Sequence, residues 1–378
     1  MAGTSVLWPI FFSSLIIAGL YEKWSVYKYN EIGEKVYIRR DKFFFALLVI
    51  SMSAFVGLRI WCNDTEEYRD VYEYLTPSSG NIFDNMVWSL GDNPGYILIN
   101  RIIKHFGASS QTFLMIMSFF TNGIYIWFIR KHSSDFWLSF FLFWTMGVYL
   151  FTAAAIKQTT AVAMALLGID RYLENKKFRF VIWILLASTI HPYALMFLIA
   201  PLFLYSPWTN KTYYCLAAFG IAGIALQPML GTLISITSMM GEEYDVSMFT
   251  GEGVNVFRLL VVWAPVILSI MVKKRMRLSQ DKKRNLFMNF AMLNATIMFV
   301  ALFGTANYFA RLANYFLIFQ TLALPWILQC FNIHDKRVLK IVVVSCYMLY
   351  FIFAHVVLTP FNTYFAKMSL MDYLKTLF

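Results

Sequence analysis

Between Cys62 and Asn93 the chain carries seven carboxylates, Asp64, Glu66, Glu67, Asp70, Glu73, Asp84 and Asp92, against one basic residue, Arg69. Apolar segments flank the stretch, and Arg59 stands just before it. A carboxylate beside an apolar span can take the proton of an attacking hydroxyl, and fixed cations can stabilise a departing anion. Asp64 is the first candidate base. It competes with a structural reading in which Asp64 or Thr65 caps a helix starting at Glu66, with the following acids favouring the helix dipole. The helical spacing of Glu66, Glu67, Asp70 and Glu73 reads as a solvated face.

Three cations, Arg59, Lys157 and Arg311, sit in or at the edge of apolar segments. Charge inside a membrane costs ~3 kcal/mol or more and is by default a functional signal. Together they read as a clamp for an anion, arginine by forked hydrogen bonds and lysine by charge. Alternatively, Arg59 pairs with Asp64, or Arg59 and Arg311 reach to the headgroups. His191 is the one histidine deep in an apolar segment, and it reads equally as a helix-break residue or as a catalytic or acceptor-binding group. Tyr68 and Trp88 are candidate sugar contacts, although aromatic belts at membrane interfaces account for most such residues.

The elements that must position these groups are helices in lipid. The chain is 59% hydrophobic and 19% aromatic over 378 residues. Apolar windows recur at Ser5–Tyr21, Phe43–Trp61, Thr112–Ile129, Phe136–Phe151, Ile156–Tyr172, Phe180–Tyr205, Tyr213–Thr237, Val256–Val272, Leu286–Phe303, Phe309–Phe331 and Val338–Leu358. None alternates with a period of two, which excludes a transmembrane β-barrel. The expected fold is an all-α polytopic membrane protein, one membrane domain over 1–378 with about eleven or twelve spans. The Ser5–Tyr21 segment lacks the marks of a cleaved signal and reads as a retained span.

The net charge of +11 resides in short loops at Lys23–Lys42, Arg130–Lys131, Lys176–Arg179, Lys273–Arg284 and Lys336–Arg337. That is the positive-inside pattern and places those loops in the cytoplasm, with anionic lipid as the partner and no nucleic acid. The acidic loop, 62–111, then lies outside, and Ile99–Lys104 within it reads as an amphipathic interfacial helix. Cys62, Cys215, Cys330 and Cys346 have neither disulfide nor zinc spacing, and no metal site is read.

Three apolar segments between Lys176 and Lys273 would put the second basic loop outside. A segment within 180–237 must therefore enter and leave on one side. Ile190-His191-Pro192 and Gln227-Pro228 both offer the break, because proline removes a helix hydrogen bond and disfavours helix before it. The first is favoured, as it sets His191 at the apex of a hairpin lining an outer cavity.

Four pieces in order resemble the EpsG-like exopolysaccharide polymerases, relatives of the type C glycosyltransferases. They are Arg59 with Asp64-Thr65 and Tyr68; Asn93-Pro94-Gly95-Tyr96 with Leu98 and Asn100; Lys157-Gln158 with Ala161; and His191 with Ala194, followed by Arg311 with Tyr315-Phe316. Lys157 stands where the family usually has arginine, leaving a point charge in place of a fork. The resemblance implies a Wzy-type polymerase in the bacterial cytoplasmic membrane, acting at its outer face. A glycan on a polyprenyl pyrophosphate would be transferred to the hydroxyl of a second lipid-linked repeat unit. It implies Asp64 and His191 as catalytic candidates and Arg59, Tyr68, Lys157, Gln158, Arg311 and Tyr315 as substrate contacts. No cofactor is required, although a divalent ion could join the carboxylates and the diphosphate. Flippase and chain-length regulator proteins are the expected partners. The main alternative is a transporter or flippase of the same lipid-linked oligosaccharides, which broken helices suit but for which no internal repeat is visible.

Overall fold

The computed structural model describes residues 6–29, 35–75, 80–221, 224–225, 254–303 and 309–376. It is a mostly helical, multi-pass membrane protein that divides into two compact units, Met1–Leu198 with Phe351–Phe378, and Ile199–Tyr350.

The first unit opens with α1 (Leu7–Trp24), a hairpin of β1 (Val26–Tyr29) and β2 (Lys35–Arg39), and α2 (Phe43–Gly57). A strand, β3 (Arg59–Cys62), leads into α3 (Thr65–Asp70) and a π turn over Val71–Leu75. Then come α4 (Pro94–His105), α5 (Ser110–His132), α6 (Phe136–Thr145), α7 (Val148–Ala154), α8 (Ile156–Leu173) and α9 (Lys177–Ile190). Helices α2 and α5 cross closely at Gly57, where a Cβ would meet Met115 Sδ at 2.5 Å. At Gly168 the backbone of α8 approaches α9, and a Cβ there would lie 3.0 Å from that of Trp183.

Polar side chains join the helices where water is absent. Ser118 Oγ donates to the Ser53 carbonyl at 2.6 Å, Tyr149 Oη to Met52 at 2.8 Å, and Trp144 Nε1 to Ser14 Oγ at 2.9 Å. The outer faces of the same helices are apolar as well, with Phe12, Ile16, Phe43 and Ile50 exposed. A helix apolar on both faces belongs in lipid.

The membrane-crossing elements are more broken than the hydropathy windows imply. Among the described residues, three helices (Ser110–His132, Lys282–Leu302 and Ile333–Leu358) are singly long and apolar enough to cross. A fourth candidate is the pair α6 and α7, bent by 49° at Gly147, whose φ of +80° suits glycine. The Phe43–Trp61 window is helical only to Gly57, because Arg59, Trp61 and Cys62 pair antiparallel with Lys367, Ala366 and Phe365 of a C-terminal strand, β4 (Phe365–Lys367). The all-α expectation is corrected to that extent by two small two-stranded sheets.

The Phe180–Tyr205 window breaks at His191-Pro192. There α9 ends and a 3-10 segment runs over Pro192–Phe203. Gln227-Pro228 lies outside the described residues.

In the second unit, a helix over 210–221 (α10) precedes α11 (Val256–Met271), the short α12 (Lys273–Arg277) and α13 (Lys282–Phe303). These are followed by α14 (Arg311–Asn314), α15 (Leu317–Gln329) and α16 (Ile333–Ile352), the last running on into the first unit. Gln320 Nε2 ties three of them, donating to the carbonyls of Val262 and Ala291 and to Asn294 Oδ1. At one end of the unit, Asn289 Nδ2 donates to the carbonyls of Phe203 and Tyr205, each at 2.8 Å. These are carbonyls that the end of the 3-10 segment leaves without a helical donor. Ser206 Oγ donates to Ser279 at 2.8 Å, so the turn before α10 packs on the turn before α13.

Candidate active site

Arg59 is placed by strand pairing. Its strand follows α2 directly and is braced from the C-terminus, where Phe365 stacks on Phe55 at 5.1 Å and Met368 N donates to the Leu58 carbonyl. Gln111 Nε2, from the first turn of α5, donates to the carbonyls of Gly57 at 2.7 Å and Arg59 at 3.2 Å. The arginine itself is 1% exposed. Its Nη1 donates to the Val56 carbonyl at 2.8 Å and its Nε to Thr65 Oγ1 at 3.2 Å, and Thr65 in turn donates to the Cys62 carbonyl. Those acceptors are neutral. No ion pair among the described residues joins Arg59 to Asp64, and burial removes the option of reaching to headgroups.

Lys157 stands in the first turn of α8, whose preceding residue, Ala155, provides no side-chain cap. The Lys157 backbone N–H instead meets the Tyr68 hydroxyl, and the positive end of the helix dipole adds to the lysine's charge. Its ammonium lies 5.7 Å from the Tyr68 ring centroid and 5.3 Å from that of Tyr96, within cation–π reach of both. The two rings meet edge to face at 6.1 Å. Arg59 acts electrostatically on both phenols as well. Burial raises both hydroxyls well above the usual phenol range, with Asp64 a further cause at Tyr68, and both stay protonated. Tyr96 Oη and the Asn100 amide are buried beside one another in no well-formed hydrogen bond. Buried polar groups normally find partners. Gln158, the next residue of α8, is buried.

Asp64 occupies the position before α3 without making a side-chain cap, which disposes of the capping role; Thr65 is engaged with Arg59 and Cys62 instead. Asn63, just before it, is held at φ +43°, a left-handed conformation asparagine tolerates. With Glu66, Glu67, Asp70 and Tyr74, Asp64 lines a cavity of about 630 Å³. The cations do not line that cavity. The carboxylates thus line one face of α3, while Tyr68 on its buried face meets Lys157.

Helix α4 forms the roof and is longer than the amphipathic stretch read from sequence. Lys104 Nζ donates to the carbonyls of Tyr72 and Glu73, and Arg101 Nη1 to those of Ile82 and Asp84, which fastens α4 to the acidic loop. A Cβ on Gly95 would lie 2.1 Å from Thr189 Oγ1 and 2.9 Å from its Cβ. Only glycine allows this approach, and it brings the end of α9, with His191 at its C-cap, against the start of α4. His191 is half-buried, and its ring lies 5.4 Å from that of Tyr193.

The structure therefore gathers Arg59, Asp64, Tyr68, Lys157 and Gln158 in the first unit, with His191 at its edge. Arg311 and Tyr315 belong to the second unit. Arg311 is exposed at the start of α14, and Tyr315 is 1% exposed. Sequence reasoning passed over Arg258, whose Nη2 donates to Asn314 Oδ1 at 3.0 Å at the other end of α14. The signal was the one used for Arg59, an arginine at the edge of an apolar segment. It also passed over Gln111, whose role depends on a strand that hydropathy did not show. Among the described residues, no cluster of His, Cys, Asp and Glu has metal-ligand geometry.

No curated protein and no solved structure shows significant similarity to the chain. The EpsG family model matches residues 42–373, from the start of α2 to α17 (Leu370–Lys375), and so covers the strand that carries Arg59, the roof helix, the start of α8 and the strand that braces the site. The chain belongs to the EpsG family.

Proposed function

We propose that the protein is a polysaccharide polymerase that joins polyprenyl-pyrophosphate-linked oligosaccharide repeat units at the outer face of the cytoplasmic membrane. The family is associated with exopolysaccharide polymerase-type activity. The observation that carries the finer reading is a pair of cations: Arg59 is 1% exposed on neutral acceptors, and both it and Lys157 act on Tyr68 and Tyr96. Buried charge left without a counter-ion is costly, and a diphosphate would supply the missing charge.

In this reading Arg59 and Lys157 hold the diphosphate of the donor. The acceptor hydroxyl oxygen attacks the anomeric carbon. As that C–O bond forms, the bond from the anomeric carbon to the diphosphate oxygen breaks, and its electron pair leaves with the diphosphate. Asp64 takes the hydroxyl proton from the acidic cavity. Tyr68 and Tyr96, kept neutral, give the sugar a face to stack on and hydroxyls to bond without repelling the leaving group. Tyr96 Oη and the Asn100 amide are polar atoms that a sugar hydroxyl would satisfy. His191 borders the acceptor side.

With the basic Lys273–Arg284 loop inside, the break at His191-Pro192 is the one we take as re-entrant. The test is reconstitution with a lipid-linked oligosaccharide. Wild type should build a ladder of polymer, and Asp64→Asn should insert normally and build none. A ladder of wild-type length from the variant would remove Asp64 from the mechanism.

A further inference from the structure

The second unit contains a cavity of about 690 Å³, within the size range of small-molecule sites, where the turn before α10 meets the turn before α13. Lys211, Arg277 and Lys282 line it together with Ser206, Thr209 and Asn285, and no carboxylate does. The acid nearest in sequence, Asp281, is turned to its own helix. Its Oδ1 accepts from the Lys283 and Arg284 N–H groups at 2.9 and 3.2 Å, and Arg284 Nε pairs with its Oδ2 at 3.1 Å. A basic surface alone would be the ordinary mark of a cytoplasmic loop. Asn285 is different. It is 3% exposed, its Nδ2 donates to the carbonyls of Leu204 and Ser279, and its Oδ1 is buried with no hydrogen-bond partner. The cavity therefore offers three cations, several hydroxyls and one buried acceptor that lacks a donor.

We propose that this cavity binds a phosphate ester carrying a neighbouring free hydroxyl, the chemistry of a glycerol phosphate, on the face of the protein that bears the basic loops. The phosphate meets Lys211, Arg277 and Lys282, and the ligand hydroxyl donates to Asn285 Oδ1. Basic pockets between membrane helices recognise lipid headgroups in this way. The ligand would bridge the two turns that Ser206 and Asn289 already hold together.

The two sources of this chemistry are separable with the full-length protein in phosphatidylcholine nanodiscs. One arm adds phosphatidylglycerol to the bilayer and the other adds soluble glycerol 3-phosphate, each followed by the thermal midpoint. Wild type should shift upward with a saturable dependence on at least one probe. A shift with the lipid alone assigns the site to the bilayer, one with the soluble ester alone assigns it to a cytosolic ligand, and one with both assigns it to the headgroup chemistry. The double variant Lys211→Gln/Lys282→Gln should need at least fivefold more probe for half the shift. Lys273→Gln/Lys274→Gln, which removes equal charge outside the cavity, should respond as wild type. Asn285→Asp should respond like the cavity double variant, because it puts a carboxylate where the ligand hydroxyl would bind. No shift with either probe, or equal weakening in the two lysine doubles, would overturn the proposal.

Discussion

Helix α8 carries a cation cluster near each end, and the two clusters are built on opposite principles. Near its C-terminus four basic side chains share two acids. Lys131 Nζ lies 2.6 Å from Asp170 and 2.8 Å from Glu174, and His132 Nε2 lies 3.0 Å from Asp170. Arg171 reaches both acids, and Lys176 reaches Glu174 at 2.8 Å. Near its N-terminus Arg59 and Lys157 face carbonyls, a hydroxyl and aromatic rings, although seven carboxylates stand within the following loop. Acids were available there and line a separate cavity. A cluster that serves the fold neutralises itself; one that serves a ligand keeps its charge for the ligand.

That contrast can be broken by mutation, and the largest effect falls on Asp64. Asp64→Asn should reduce polymer formation by about 10²–10⁴-fold, the usual worth of a positioned base, with no change in thermal midpoint. Next comes Lys157→Ala, which should raise the donor concentration needed for half-maximal rate by about tenfold, the value of ~1.4 kcal/mol of lost interaction. Lys157→Arg should keep most activity. At the paired cluster the signs reverse: Asp170→Asn removes the buried carboxylate that Lys131, His132 and Arg171 share and should lower stability, with turnover per folded molecule unchanged. Kinetics and thermal unfolding on the same preparations decide between the two patterns.

Gly95→Ala should lower activity by separating α4 from α9, and Thr189→Ala in that background should restore part of it, since the colliding atom is Thr189 Oγ1. Failure of the second change to rescue would detach the helix contact from the site. The smallest effect concerns pH. Hydrogen bonds from Lys131 and Lys176 hold Glu174 down at about 2, below its usual 4.5. A depressed carboxylate stabilises above its unfolded value and loses that contribution as pH falls through its folded one. The midpoint difference between wild type and Glu174→Gln should therefore be full above pH 4.5 and close toward pH 2.

What the sequence revealed follows from which forces are local. Hydropathy and the helix period are local signals, so α5, α13 and α16 were legible, and proline made the break at His191-Pro192 legible too. The end of α2 at Gly57 was not, because it depends on strand pairing with residues about 300 positions away. Arg59, Asp64 and Lys157 stood out by charge in apolar surroundings. Their partners Asn100 and Gln111 carry no charge and gain meaning only from what they touch. The Asp64–Arg59 pair that adjacency suggested is absent, because Thr65 and the end of α2 take the guanidinium first. The same surroundings that exposed Arg59 surround Arg258, whose partner Asn314 lies 56 residues on.

The central claim is that the cations near the start of α8 are held for a diphosphate. Binding of a polyprenyl diphosphate to the purified protein, compared between Lys157→Gln and Lys176→Gln, tests it most directly. Both variants lose one positive charge, one from each cluster. The account predicts at least tenfold weaker binding for Lys157→Gln and wild-type binding for Lys176→Gln. Equal affinity in the two variants would contradict it.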